Sequence, residues 1–171
     1  MTEPTDPNLF RPEWDLERPD PPFHGRVMRA AHRAGARELG ATLYELEPGG
    51  SASPYHVHHG NEELLVVLDG SPALRTPDRT RRLEPGAVVA FPRGEAGGHR
   101  VTNPGPGNVR VLIVSTMNFP EVAEHPDTGT VMAMRGLEGG WAFPAQAAEP
   151  FLQRVVEAMR AGDAIDQAPD E

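Results

Sequence analysis

The chain has 171 residues, enough for one domain with tails, and no apolar run approaches the roughly 20 residues of a membrane span. There is no cysteine, and all 16 basic residues are arginine, so disulfides, thiol nucleophiles, cysteine metal sites and lysine Schiff bases are excluded. A net charge of −9 disfavours nonspecific binding to nucleic acid or anionic membrane, although a local basic patch can still hold a small anion.

Residues 1–24 hold many of the 19 prolines, which give no N–H to helix or sheet, so this segment reads as an arm. Phe10 and Trp14 are its candidate anchors. Its acidic start lacks the basic n-region and apolar h-region of a signal peptide, and a cytoplasmic location is expected. The next stretch, "GRVMRAAHRAGARELG" (25–40), fits either a helix or a strand, a turn and another strand. From Ala41 the texture changes to short apolar runs: "ATLYEL", "ELLVVLDG", "PALRT", "AVVAFP", "HRVTN" and "VRVLIVSTM". Gly, Pro, Asn and Asp clusters separate them, which is the pattern of an antiparallel sandwich or barrel. After Met117 the sequence reads as mostly irregular until a helix at about 147–161. There Phe151, Val155, Ala158 and Met159 share one face, Glu149, Arg154 and Arg160 face solvent, and Gly162 stops the helix. The final "DQAPDE" reads as disordered. The expected organisation is an arm (1–24), a barrel domain (25–135, motif core 40–118) and an extension (136–171).

The chemistry concentrates in "GGSASPYHVHHGNEELLVVLDG", Gly49 to Gly70. His56 and His58 are two apart, so on a strand both imidazoles face one side and can share a metal. "HHGN" then turns the chain, and an antiparallel neighbour starting at Glu62 or Glu63 can bring a carboxylate to the same face. Leu65 and Val67 share the face of Glu63, while Leu64, Val66 and Leu68 share that of Glu62. Both faces are apolar, so periodicity does not choose between the two glutamates.

The spacing Gly50-x5-His56-x-His58-x4-Glu63-x6-Gly70 resembles the first motif of the cupin superfamily, and its six-residue gap to Gly70 selects Glu63. A second motif follows in similar form: Gly86, five residues, Pro92-Arg93-Gly94, four residues, His99, three residues, Asn103. It carries two residues more than the family pattern, in "EAGG", where a turn before the strand can absorb them. The resemblance spans about residues 40–118, and "LIVSTMNFPEVAEHPDTGTV" also resembles the end of small single-domain cupins. It implies an all-β fold: a cupin-type jelly-roll β-barrel, here with an irregular N-terminal arm and a short C-terminal helix. It also implies one divalent metal held by His56, His58, Glu63 and His99. Small cupins commonly pair, and a homodimer is expected because an open edge strand needs cover.

The remaining candidates have plainer readings. His59 is an outer neighbour of the site or faces solvent, and Glu62 is exposed or ion-paired. His24, His32 and His125 lie outside both motifs and read as surface or packing residues. "RTPDRTRR" reads as a solvated hairpin rather than a phosphate site. Gly70 and Gly86 read as backbone positions at a turn and at a strand entry. Tyr44, Tyr55, Phe91, Met117, Phe119 and Trp141 are candidates for the barrel mouth or its core.

Three neutral imidazoles and a carboxylate suit Fe, Mn, Zn, Ni or Cu better than Ca or Mg, and leave up to two positions of an octahedral ion for a ligand. Apolar neighbours (Leu65, Val67, Val89, Val101 and Val111 or Leu112) point to a small, rather apolar ligand. No nucleophile elbow or phosphate loop is present, and no catalytic residue is assigned beyond the ligands. The sequence therefore supports a metal-dependent small-molecule enzyme of oxygenase or isomerase type. A non-catalytic binding or sensing module is the alternative, and a storage or structural relative comes third.

Overall fold

The runs "ATLYEL" and "VRVLIVS" alternate in which side chains they bury, and they become the two central strands of a six-stranded sheet. A computed structural model describes residues 6–136, 139–147, 153, 155–157 and 159–160. The strands are β1 (Leu16–Arg18), β2 (Gly25–Met28), β3 (Gly40–Leu46), β4 (Val57–His58), β5 (Glu63–Asp69), β6 (Ala73–Arg75) and β7 (Thr80–Arg82). They continue with β8 (Val88–Phe91), β9 (Arg100–Thr102), β10 (Val109–Ser115), β11 (Glu121–His125), β12 (Thr130–Gly136) and β13 (Gly139–Pro144). One helical turn, α1 (Ala30–Arg33), joins β2 to β3.

The strands form three antiparallel sheets, ordered β1-β2-β3-β10-β5-β8, β7-β6-β9 and β13-β12-β11-β4. The main core lies between the six-stranded and three-stranded sheets. Leu46, Leu65, Val67, Phe91 and Val111 from one meet Leu74 and Val101 from the other. Because side chains alternate, Leu65 and Val67 on β5 point inward with Glu63, and Leu64 and Leu68 point outward. Gly70 ends β5 at φ +75°, where a Cβ would also press on Val109, so the turn requires glycine.

The outer face of the six-stranded sheet carries a second cluster, Met28, Ala30 and Leu43, covered by Leu9 and Trp14 of the arm. Beside it Glu45 is buried and takes hydrogen bonds from Arg26, Arg110 and Asn108. Burial alone would raise its carboxyl pKa, but the two guanidiniums outweigh that and hold it below the ordinary value. The Trp14 ring lies over both Arg26 and Arg110. Trp14 thus anchors the arm, whereas Phe10 is exposed and anchors nothing.

Two expectations change and one open choice is resolved. The arm is not wholly irregular, since Leu16–Arg18 adds an edge strand through backbone pairing with β2. The ambiguous stretch 25–40 resolves as a strand, a single helical turn and the start of another strand. The segment after Met117 is strand-rich instead of irregular, because β11–β13 form a meander on β4. Those strands are rich in Gly, Ala and Met and mostly half-buried, so no clean alternation announces them. Of the helix expected at 147–161, residues 153, 155–157 and 159–160 are helical, with Val155 half-buried and Met159 exposed. Phe151, Arg154, Ala158, Gly162 and the final "DQAPDE" lie outside the described residues. No helix among the described residues is long and apolar enough to cross a membrane.

Leu65 is the first inward residue after Glu63 and has no solvent exposure. Leu65→Ala leaves a cavity under the site and is expected to cost about 2–5 kcal/mol of stability, read as a lower urea midpoint at unchanged m-value.

Candidate metal centre

The segment 51–58 zips antiparallel along β9 and the turn before it. Ser51 bridges Thr102, and His56 and His99 exchange both backbone hydrogen bonds, at 3.1 and 3.0 Å. This pairing sets the two imidazoles side by side, with ring centroids 4.4 Å apart. His58, two residues on, meets the His56 ring edge-on at 4.8 Å. Glu63 enters from the six-stranded sheet, at the end of β5, opposite Phe91 and Ser115. Its Oε2 lies 3.8 Å from His56 Nε2, 3.4 Å from His58 Nε2 and 3.3 Å from His99 Nε2.

Each ring is held by its other nitrogen. His56 Nδ1 donates to the Pro54 carbonyl at 3.0 Å, and His99 Nδ1 donates to the Gly97 carbonyl at 2.9 Å. His58 Nδ1 faces the Glu121 carboxylate at 3.3 Å. A carbonyl can only accept, so His56 and His99 each carry a proton on Nδ1, which in a neutral ring leaves Nε2 bare. Phe91 stacks flat on His99, centroids 3.7 Å apart, and fixes its plane. His99 Nε2 is buried and makes no hydrogen bond. Lone pairs on nitrogen therefore converge on a carboxylate oxygen, an arrangement that a cation satisfies and water alone does not. The donor set, imidazole nitrogens with one carboxylate, fits a divalent transition ion. His56, His58 and Glu63 offer donor atoms within 4.8 Å of one another.

Electrostatics agree with this. Burial alone would raise the Glu63 pKa, but the three histidines outweigh burial and hold it far below the ordinary carboxylate range. Burial depresses His99 and keeps it neutral. Burial also pulls His58 down, yet Glu63 and Glu121 on either side outweigh it and leave it above its ordinary value.

Across the lengthened turn, His99 faces Glu63, with Nε2 3.3 Å from Oε2. Glu95–Gly97 forms one 3-10 turn, and Gly97 supplies the carbonyl that orients the His99 ring. A Cβ on Gly97 would collide with the Pro92 carbonyl, so the turn closes only with glycine there. The Gly94 N–H donates to the His58 carbonyl at 2.7 Å and ties the two motifs together. Asn103 is a loop staple: its amide donates to Leu46 and Gly107 carbonyls, and its Oδ1 accepts from Gly105 N–H.

Residues read as peripheral are mostly so. His59 pairs with Glu124 at 2.7 Å in the open, Glu62 and His32 are exposed, and His24 bonds the Pro48 carbonyl. "RTPDRTRR" is the β6–β7 hairpin, with Arg75 ion-paired to Asp127. Tyr55 and Phe91 are buried, while Phe119 and Trp141 are exposed. Leu65, Val67, Val101 and Val111 belong to the sealed core and Leu112 to the outer face. On the inward face near Glu63 stand Ser115, Thr42, Ile113 and Tyr44, all half-buried, so the lining is richer in hydroxyls than expected.

β11 brings two residues that sequence reasoning did not place at the site. Glu121 is buried against His58, and His125 lies with its ring 5.9 Å from that of His56. Their i, i+4 spacing puts both on one strand face, but nothing in the sequence shows that this strand pairs with β4. His99→Ala removes a ring that the structure aims at Glu63, so metal affinity is expected to drop at least about 10-fold in a competition titration.

Residues 42–115 match the model of the family described as "Cupin domain". A protein of Acidithiobacillus ferrooxidans, described as a candidate sugar phosphate isomerase, superposes at TM-score 0.71 and 22% identity, covering 81% of this chain and 87% of its own. A sugar phosphate isomerase from a cupin superfamily, of Silicibacter pomeroyi, superposes at 0.66 and 25% identity, covering 75% and 81%. The plu4264 protein of Photorhabdus luminescens superposes at 0.50 and 19% identity, covering 61% and 83%. No curated protein matches the chain in sequence. With both motifs in place around one barrel interior, residues 42–115 of this chain form a cupin domain.

Proposed function

We propose that this cupin is a metal-dependent enzyme of the isomerase type, acting on a small hydroxylated compound in the barrel interior. His56, His58, Glu63 and His99 would hold one divalent ion, from Fe, Mn, Zn, Ni or Cu. The observation that carries the reading is the convergence of three Nε2 atoms on Glu63 Oε2, with each ring held from behind. When bound, such an ion supplies Lewis-acid polarisation of a substrate oxygen.

The chain's own residues do the rest. Ser115, Thr42 and Tyr44 offer hydroxyls beside Glu63 to orient a polyol or hydroxycarbonyl. His125 adds an imidazole whose Nδ1 has no hydrogen-bond partner. The hydroxyl lining favours an isomerase over an oxygenase acting on an apolar compound, and the 25%-identical Silicibacter pomeroyi relative, a sugar phosphate isomerase, supports the same direction. The reading includes a cytoplasmic homodimer that uses the free edges of β1, β8 and β13.

Protein purified without chelator or nickel resin, then assayed by elemental analysis, gives the metal. Free and phosphorylated aldoses and ketoses in deuterated water then test turnover, because isomerisation by proton transfer leaves a solvent deuteron in the product. Glu63→Ala removes the only anionic ligand and is expected to lower turnover about 100-fold or more at matched metal occupancy. Reversible binding without product across the screen, with every metal fully loaded, would leave a binding module instead.

The pH dependence has a defined sign. Imidazoles must be neutral to bind metal, and His58 holds its proton above the ordinary histidine value. Affinity should therefore keep rising with pH beyond about 6.5, with a proton released on binding. Calorimetry in buffers of different ionisation enthalpy reads that proton; a flat profile from pH 6 to 8 counts against His58 as a ligand.

A further inference from the structure

His56 and His99 are held from behind by backbone carbonyls, whereas His58 is held by a carboxylate. That carboxylate belongs to Glu121 on β11, beyond the stretch that the domain model matches. Glu121 is 1% exposed, and donors meet both of its oxygens. Oε1 takes His58 Nδ1 at 3.3 Å and the His59 N–H at 3.2 Å, and Oε2 takes the Asn61 amide.

Asn61 cannot turn its amide over. Its Oδ1 already accepts from Thr116 Oγ1 and from the Asn118 N–H, so its NH2 must face Glu121. Both Glu121 oxygens must therefore accept. A glutamine in its place would leave one side with donor against donor. Gly60 lies so close that any Cβ there would collide with Oε2. Burying a carboxylate is costly, and a staple for the 59–61 loop would need no charge. The charge has a use on His58: a carboxylate behind an imidazole fixes its tautomer and makes its far nitrogen a stronger donor.

We propose that Glu121 is a positioning residue for the metal centre, holding His58 with its proton on Nδ1 and its Nε2 aimed at Glu63. This rests on the four-ligand metal reading. It makes His58 the strongest imidazole donor of the three and assigns a role to a strand outside both motifs.

The test uses cobalt(II) as probe on the full chain. Ring N–H protons of cobalt-bound histidines give separate, strongly shifted proton NMR lines, assignable through single histidine variants. In wild type the His58 ring N–H should exchange slowly with solvent, shielded by Glu121. Glu121→Gln should weaken cobalt binding about 10–100-fold and move the His58 line while the His56 and His99 lines hold; the donor clash it buries should also lower the metal-free unfolding midpoint, so the lines and not the midpoint decide. Unchanged affinity would overturn the role. So would an affinity loss in which all three lines move together, which is the behaviour of a loop staple. Should the variant fail to fold, wild type decides: a His58 N–H exchanging as fast as an exposed imidazole, or cobalt bound through Nδ1, overturns the proposal. Wild type that takes up no cobalt sinks the metal reading itself and this role with it; cobalt uptake with an indifferent Glu121→Gln sinks only the role.

Discussion

Acceptor faces acceptor at the centre of this molecule. Three imidazole nitrogens lie 3.3–3.8 Å from one carboxylate oxygen, and two of the rings have their only proton committed to a backbone carbonyl behind them. Such an arrangement is repulsive until a positive charge enters it. Protons can supply that charge in part, and Glu63 is held ionised on that account. Burial resists putting one on His99, however, whose Nε2 stays without a partner. A buried polar atom left unpaired costs about 1–3 kcal/mol. A divalent ion relieves all of these conflicts at once.

The rest of the fold can be understood as the frame that holds this conflict still. Two sheets that share a core supply Glu63 and His99 from opposite sides, and Phe91 bridges them by pairing with Glu63 and stacking on His99. The third sheet supplies His58 on β4 and backs it with β11. Since the ligands come from separate sheets, the site's geometry depends on how the sheets pack. Leu65, fully buried two residues after Glu63 on β5, belongs to the core that holds two of those sheets together. The arm acts on the other face: Trp14 over Arg26 and Arg110 covers apolar surface that the six-stranded sheet would otherwise expose.

Much of this was legible in the sequence, for identifiable reasons. His56 and His58 could be read together because strand alternation puts them on one face, whereas Glu63 was separated from Glu62 only by the motif spacing to Gly70, whose φ of +75° suits glycine. The barrel could be read from apolar runs because β3, β5 and β10 bury alternating faces. Two kinds of information were missing. One was non-local pairing: Glu121 and His125 gain meaning only once β11 lies on β4, and a short, largely polar strand gives no signal of its partner. The other was backbone geometry in the lengthened turn. By count, "EAGG" is only two residues beyond the motif spacing; in space, its 3-10 turn delivers the Gly97 carbonyl to the His99 ring.

These two gaps meet in a common principle. A ligand motif specifies which atoms touch the metal, and those atoms are close in sequence or fixed by one strand pair. The groups that orient them are chosen from whatever the fold brings behind each ring: a proline carbonyl for His56, a turn carbonyl for His99, and a glutamate from a distant strand for His58. Neutral carbonyls fix a tautomer and little else, whereas a carboxylate also adds charge, so the three imidazoles are not equivalent donors. His58, between Glu63 and Glu121, holds its proton above the ordinary histidine value in the absence of metal. The same two carboxylates make it the most electron-rich ring once that proton is gone. On the proposed reading, proton and metal would compete most directly at His58, and the strand that lies outside both motifs would set the balance between them.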